Sequence, residues 1–288
     1  MSSIGNLILQ GATRLHSGPH PKRARQDAET LLLNVLDRDG ERGRAWLIAH
    51  SVEEPSVAEA GRFAALIERR FLGEPIQYIT GEQEFYGLPI RVNDDVLIPR
   101  PETEHLVEKA LELAGRFMRP RIVDVGTGSG AIAVALAHEL PKARITAVDI
   151  SRAALEVARG NADRNRVARR IEFRESDLLA AVADERFEMV VSNPPYVPVA
   201  DRDSLAVEVR EHEPAVALFG GEGGLALYRR LIPAAFAVLE RRGWLAMEIG
   251  YGQSKPIAAL MSETGFERVE FVPDLQGIPR VACGQRID

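Results

Sequence analysis

Along the first 74 residues, apolar positions recur at helical spacing and are separated by short polar breaks. Leu7, Ile8, Leu9 and Leu15 mark a first helix, and Ala28, Leu31, Leu32, Val35 and Leu36 a second. Trp46, Leu47 and Ile48 mark a third. A fourth opens at Ser56-Val57-Ala58-Glu59, where the Ser56 and Glu59 side chains can satisfy each other's neighbouring amides. It continues through Phe63, Leu66, Ile67 and Phe71 and stops at Gly73 and Pro75. Residues 1–74 are thus predicted to form a small helical bundle. Over 75–100 the texture changes. Tyr78, Ile79, Phe85, Tyr86, Ile90, Val92, Val96 and Ile98 are β-formers, broken by Gly81, Gly87-Leu88-Pro89 and Asn93-Asp94-Asp95, which predicts a hairpin-bearing linker.

The remainder, 101–288, opens with a predicted helix from about Glu102 to Phe117. Beyond Pro120 the pattern alternates. Strands are expected at Arg121–Val125, Ile145–Val148, Ile171–Arg174, Phe187–Ser192 and Trp244–Ile249, with a final pair at Phe266–Val272 and Val281–Gly284. Helical segments lie near 131–139, 152–164 and 225–240. This alternation predicts an α/β fold with a doubly wound, mostly parallel, seven-stranded sheet. Ligands of such sheets lie beyond the C-terminal strand ends.

The first strand ends in Asp124-Val125-Gly126-Thr127-Gly128-Ser129-Gly130, directly before an apolar helix. A glycine-rich turn lets a ligand approach the backbone, because no Cβ intervenes. Its third glycine follows the second by two residues rather than the three of the dinucleotide fingerprint. Adenosylmethionine, a dinucleotide and a purely structural turn all stay open on this segment alone. The second strand ends at Asp149, 23 residues beyond Gly126. An acid there can accept both hydrogens of a ribose diol, or it can cap the helix that follows. The third end carries Asp177-Leu178. Asp177 is placed to take adenine amino hydrogens and Leu178 to pack on the ring, although a plain loop aspartate would read the same.

The fourth strand runs into Asn193-Pro194-Pro195-Tyr196. Two consecutive prolines remove two backbone donors and fix φ. The Asn193 side-chain oxygen and an outward carbonyl then offer two acceptors that match the two hydrogens of a planar NH2 group. Tyr196 supplies an aromatic face for stacking. An amide nitrogen is a poor nucleophile, so acceptors that orient it and stabilise its growing positive charge are what methyl transfer requires. Asn193, Pro194 and Tyr196 are the expected catalytic residues, with Pro195 completing the substrate loop. Asn193 is also counted with the expected cofactor residues Gly126, Thr127, Gly128, Ser129, Gly130, Asp149, Asp177 and Leu178.

Composition narrows the alternatives. Lys and Arg total 36 against 42 Asp and Glu, a net charge of -6, which argues against a stable nucleic-acid partner gripped through phosphates. Cys283 is the only cysteine, so internal disulfides and cysteine-based zinc clusters are excluded, and it sits in an apolar stretch that suits an inert thiol. The six histidines show no ligand-like pairing, and no metal is expected. The Met1–Gly5 start lacks the pattern of a signal peptide, and no apolar run approaches membrane-spanning length. The expectation is a cytoplasmic protein without a membrane partner.

Taken together, these segments resemble the HemK/PrmC family, protein-(glutamine-N5) methyltransferases that modify class 1 peptide chain release factors. Gly126–Gly130 resembles that family's S-adenosylmethionine loop, Asp149 its ribose acid and Asn193–Tyr196 its substrate loop. Some members carry an aromatic residue where Leu178 stands, which implies a weaker or purely apolar adenine contact here. Less generic matches are Arg25-Gln26-Asp27-Ala28-Glu29, Pro75-Ile76-Gln77-Tyr78-Ile79-Thr80-Gly81 and Ile98-Pro99-Arg100-Pro101-Glu102-Thr103-Glu104. Related ribosomal-protein glutamine methyltransferases carry Arg-Ser-Pro in place of Arg100-Pro101-Glu102. The resemblance implies a class I methyltransferase-like fold over 101–288. It also implies transfer of a methyl group from S-adenosyl-L-methionine, leaving S-adenosyl-L-homocysteine, to the glutamine of a release factor's Gly-Gly-Gln loop. The bundle 1–74 is expected to dock that release factor. The alternatives are a ribosomal-protein glutamine methyltransferase, an adenine-N6 nucleic-acid methyltransferase using the same Asn-Pro-Pro-Tyr device, and a non-catalytic scaffold.

Overall fold

The computed structural model describes residues 2–38 and 43–288; Met1 and residues 39–42, within the segment predicted to form the bundle, lie outside the described residues. The chain divides into two compact units, one of Met1–Gly81 with Leu205–His212 and one of Glu82–Ser204 with Glu213–Asp288. The first unit begins with helices α1 (Ile4–His16), α2 (Ala24–Val35), α3 (Gly43–Ala49), α4 (Val57–Phe71) and α5 (Ile76–Thr80). The second opens with the hairpin β1 (Glu82–Phe85) and β2 (Leu88–Arg91), then α6 (Thr103–Ala114), β3 (Arg121–Val125) and α7 (Ala131–Glu139). It continues through β4 (Arg144–Asp149), α8 (Arg152–Arg164), β5 (Ile171–Glu175) and β6 (Phe187–Ser192). The chain then contributes α9 (Val207–His212) to the first unit. It closes with α10 (Ala215–Leu218), α11 (Ala226–Val238), β7 (Leu239–Glu248), α12 (Ser254–Thr264), β8 (Glu267–Pro273) and β9 (Pro279–Gln285). Among the described residues, no helix is long and apolar enough to cross a membrane.

In the first unit the helices close on one another through Leu7, Ile8, Leu31, Leu32, Phe63 and Ile67, all buried. The expected capping box forms at α4: the Glu59 amide donates to Ser56 Oγ at 3.2 Å, and the Ser56 amide donates to Glu59 Oε2 at 2.7 Å. Arg70 is almost fully buried. It donates to Asp27 Oδ2 at 2.7 Å and Glu208 Oε2 at 2.9 Å, so α9 is held to α2 and α4 by charge. Arg70 and Asp27 have no water to fall back on, which makes breaking their pair costly. The β-formers Tyr78 and Ile79 lie in helix rather than strand. Pro75 starts the short helix α5, and Gly81, at φ 80°, ends it in the left-handed conformation that glycine tolerates. The hairpin is confined to Glu82–Arg91.

The second unit is built on the seven-stranded sheet in the order β5-β4-β3-β6-β7-β9-β8. Strands β3 to β7 pair in parallel, and β9 pairs antiparallel with both β7 and β8. Val123, Val125, Val190, Leu245 and Met247 are buried in the sheet, and Tyr228, Leu231, Ile232 and Ile257 pack on them. Residues 131–137 of α7 are buried all round, which is why that helix reads as continuously apolar. The sheet reverses direction of winding between β3 and β6, where Val125 pairs with Ser192. A crevice opens beyond the strand ends at such a switch point.

Candidate active site

That switch point joins two segments far apart in the chain. The glycine turn leaves β3 immediately after Val125, and Asn193 follows Ser192 on the neighbouring strand. Ser192 Oγ donates to the Val125 carbonyl at 2.7 Å, locking the two exits together. A cavity lies over them, lined by Gly126–Ser129, Asp149, Asp177, Leu178, Asn193 and Pro195. Gly126 and Gly128 adopt φ 69° and 54°, and a Cβ on either would meet open space rather than protein. A cradle of exposed backbone with room above it fits a ligand laid along the turn.

Gly130 is different. Its φ is 79°, but a Cβ there would come within 2.9 Å of Ala158 Cβ, and the residue does not line the cavity. Its glycine serves the close approach of α7 to α8, where a side chain would meet Ala158. Asn161 of α8, fully buried, fixes the same region. It donates to the Ser129 carbonyl at 2.8 Å and bridges the backbone of Arg91.

Two acids lie beneath the turn. Asp124 Oδ2 accepts the Thr127 hydroxyl at 2.6 Å, and burial, with the nearby Asp149 charge, pushes the Asp124 carboxyl up to about 7. Asp149 accepts the Gly128 amide at 2.8 Å on Oδ2 and the Ser151 amide at 2.9 Å on Oδ1. Burial raises its carboxyl, and those amides work against the rise. The N-cap of α8 is Ser151, whose hydroxyl accepts from Ala154, so Asp149 is not the cap itself. Each Asp149 oxygen retains a further acceptor position. Asp177 spends one oxygen on Arg230 Nη2 at 2.6 Å, and this exposed pair lines the cavity beside Leu178.

The Asn-Pro-Pro-Tyr loop is anchored from behind. Asn193 Nδ2 donates to Thr103 Oγ1 at 3.1 Å, and Thr103 donates to Glu248 Oε2 at 2.6 Å. Tyr196 donates its phenol to the other Glu248 oxygen at 3.1 Å. Burial, then the Glu248 charge, holds that phenol well above its usual range, so it stays a donor. Gln253 Nε2 donates to the Tyr196 carbonyl at 3.1 Å. No hydrogen bond from the described residues reaches Asn193 Oδ1 or the Pro194 carbonyl. Pro194 is itself buried, and neither its ring nor Tyr196 lines the cavity. The Tyr196 ring packs on the sheet core, and Gly250 makes room for it: a Cβ there would sit 3.1 Å from Tyr196 Cδ2. The expected free stacking face is thus partly taken up by packing.

Thr103 and Glu248 carry no role in the sequence-based reading. The signal for Glu248 was present: it is a lone acid in the apolar strand Trp244–Ile249. Thr103 lies inside the 98–104 segment, two of whose charged members hold protein partners. Arg100 pairs with Glu213 at 2.6 Å, and Glu104 accepts the Tyr86 amide at 2.9 Å.

Comparison with known proteins identifies the family and the fold. Residues 7–81 match the family model for the PrmC N-terminal domain, and residues 103–227 match the methyltransferase small domain. In the solved structure of a methyltransferase from Pyrococcus furiosus the same fold recurs. Its TM-score is 0.53 at 19% identity, over 71% of this chain and 91% of that one. The chain is 47% identical to the release factor glutamine methyltransferase of Koribacter versatilis over 91% of both chains. It is 44% identical to that of Moorella thermoacetica over 99% of both. With identity at that level sustained through bundle and sheet alike, the chain belongs to the HemK/PrmC family of release factor glutamine methyltransferases.

Proposed function

We propose that this protein transfers a methyl group from S-adenosyl-L-methionine to the side-chain N5 of the glutamine in a class 1 release factor's Gly-Gly-Gln loop. The observation that carries the reading is the bond from Asn193 Nδ2 to Thr103, which turns Asn193 Oδ1 away from its anchor, beside the glycine turn. Asn193 Oδ1 and the Pro194 carbonyl are the acceptors for the two hydrogens of the glutamine amide. Among the described residues neither has an internal donor, so neither must give up a bond to take the substrate. Tyr196 closes the loop from the core side, and Pro195 borders the path to the cavity.

Gly126–Ser129 supply the backbone against which the cofactor lies, and the second acceptor positions of Asp149 take its ribose hydroxyls. Leu178 packs on the adenine, while Asp177, already paired with Arg230, serves its edge. When bound, S-adenosyl-L-methionine supplies an electrophilic methyl on a sulfonium centre. The residues orient the planar nitrogen towards that position and stabilise the positive character its hydrogens acquire; the proton leaves after transfer. The bundle docks the release factor, because a reactive loop alone offers little of the roughly 800 Å² per partner that specific pairs bury.

Incubation with cofactor and release factor, followed by peptide mapping, tests the activity. One added methyl mass on the Gly-Gly-Gln glutamine is expected, and methylation of nucleic acid alone would overturn the reading. Hydrogen exchange on the full chain tests the docking. Release factor should protect amides within residues 1–74, and protection confined to 82–288 would remove that role.

A further inference from the structure

The mechanism above needs Asn193 to present its oxygen, and not its NH2, to the substrate. An asparagine amide has nearly the same shape in both orientations, and the wrong one sets a donor against a donor. Something must select between them. Asn193 is half-buried, and shape alone cannot tell its oxygen from its nitrogen.

We propose that Thr103 and Glu248 are positioning residues for the reaction, forming a one-way hydrogen-bond relay that fixes the orientation of the Asn193 amide. The inference rests on the reading of Asn193 as the substrate acceptor. The direction of the relay follows from the donor inventory. Burial pushes the Glu248 carboxyl up, and the Thr103 and Tyr196 hydroxyls work against that rise by donating to the ionised form. As a carboxylate it only accepts, so the hydroxyl 2.6 Å from Oε2 gives its proton to it. That separation lies in the range of O–H···O⁻ bonds to an ionised acceptor. With its one proton committed, Thr103 Oγ1 can offer Asn193 only a lone pair. The group facing Thr103 at 3.1 Å must then be the NH2, and Oδ1 is left for the substrate.

Glu248 is well suited to impose this. It is 2% exposed at the C-terminal end of β7, and its second oxygen is occupied by the Tyr196 phenol. The same carboxylate therefore holds both ends of the four-residue loop, Tyr196 directly and Asn193 through Thr103. Its backbone carbonyl accepts the buried Tyr228 hydroxyl at 2.8 Å, which fixes the strand end that carries it. Thr103, 4% exposed, has no other hydrogen-bond partner for its side chain among the described residues. A buried acid at the end of the apolar run Trp244–Met247 is expensive, and a relay of this kind accounts for its presence.

The test compares Thr103→Val, which keeps the shape and removes the relay, with Thr103→Ser, which restores a hydroxyl. Turnover on release factor should fall about ten- to a hundredfold in the valine variant, somewhat less than removal of a preorganised group in direct contact. The KM for release factor and the cofactor affinity by calorimetry should stay within about twofold of wild type, as expected for a loss confined to the transition state. The serine variant should recover most of the turnover. Hydrogen exchange of the Asn193 side-chain NH2, followed by NMR on 15N-labelled protein, should accelerate roughly tenfold in the valine variant, about the value of one hydrogen bond. Wild-type turnover with unchanged exchange would overturn the relay. So would turnover, cofactor affinity and thermal midpoint falling together. If wild-type protein leaves release factor unmethylated, the functional reading fails on its own, and the exchange measurement still decides whether the relay exists.

Discussion

Replacement of Asp149 by alanine separates two jobs that one carboxylate performs. Its oxygens hold the Gly128 amide at 2.8 Å and the Ser151 amide at 2.9 Å, each with one of their acceptor positions. The remaining positions are assigned to the ribose hydroxyls. Charge-assisted contacts of that kind are worth about 1.5–3 kcal/mol, so the cofactor dissociation constant should rise roughly ten- to a hundredfold. The structural loss should be smaller. Both freed amides border the cavity and can be rehydrated, and the buried carboxylate itself is disfavoured by desolvation. A cost near 1 kcal/mol corresponds to a fall of about 2–4 °C in thermal midpoint for a unit of this size. Because ribose is held alike in ground and transition states, kcat at saturating cofactor should change little. Calorimetry with S-adenosyl-L-homocysteine measures the affinity. The raised carboxyl adds a control: wild-type affinity should weaken as the pH falls through it, and the alanine variant should lose that dependence. Unchanged affinity in a folded variant would refute the ribose assignment and leave Asp149 as a clamp on the glycine turn.

Further perturbations probe the loop, the bundle and the buried acid. Asn193→Ala should cost about 10²-fold or more in turnover, with cofactor affinity nearly preserved by calorimetry, since it removes a group used chiefly in the transition state; near-wild-type turnover would dismiss its role. Arg70→Ala leaves Asp27, 1% exposed, without its buried partner and should destabilise the first unit by about 3–5 kcal/mol in chemical denaturation. Asp124, raised from 3.8 to about 7, binds its proton more tightly folded than unfolded. Its contribution to stability is therefore complete below about 4 and is lost as the pH rises through about 7. Thermal midpoints should decline across that window, and Asp124→Asn should flatten the decline; an unaltered slope would place the titration elsewhere.

Much of this protein is legible in the chain because the signals are local. The Ser56/Glu59 box announces the start of α4 from residues three apart, and both bonds form. Period and turn chemistry mark the strands of the sheet and the glycine turn that follows the first of them, where Gly126 and Gly128 adopt positive φ. Such features depend on neighbours a turn or a strand away, where propensity and capping dominate. Local reading misjudged Ile76–Thr80, where Pro75 and Gly81 outweigh the β-propensity of Tyr78 and Ile79. It also had no means of assigning Val207–His212 to the unit of the helical bundle, since the charge that holds it, Arg70, lies 138 residues from Glu208. The site itself was decided by long-range pairing. Parallel β3 and β6 bring the glycine turn beside Asn193, and the hydrogen bonds from Asn193 through Thr103 to Glu248 span 90 and 145 positions of sequence. Hydrophobic periodicity states which face of a strand is buried but not which strand lies next to it. The lone acid in an apolar strand was visible as an anomaly; its partners, and hence its meaning, exist only once the sheet has closed.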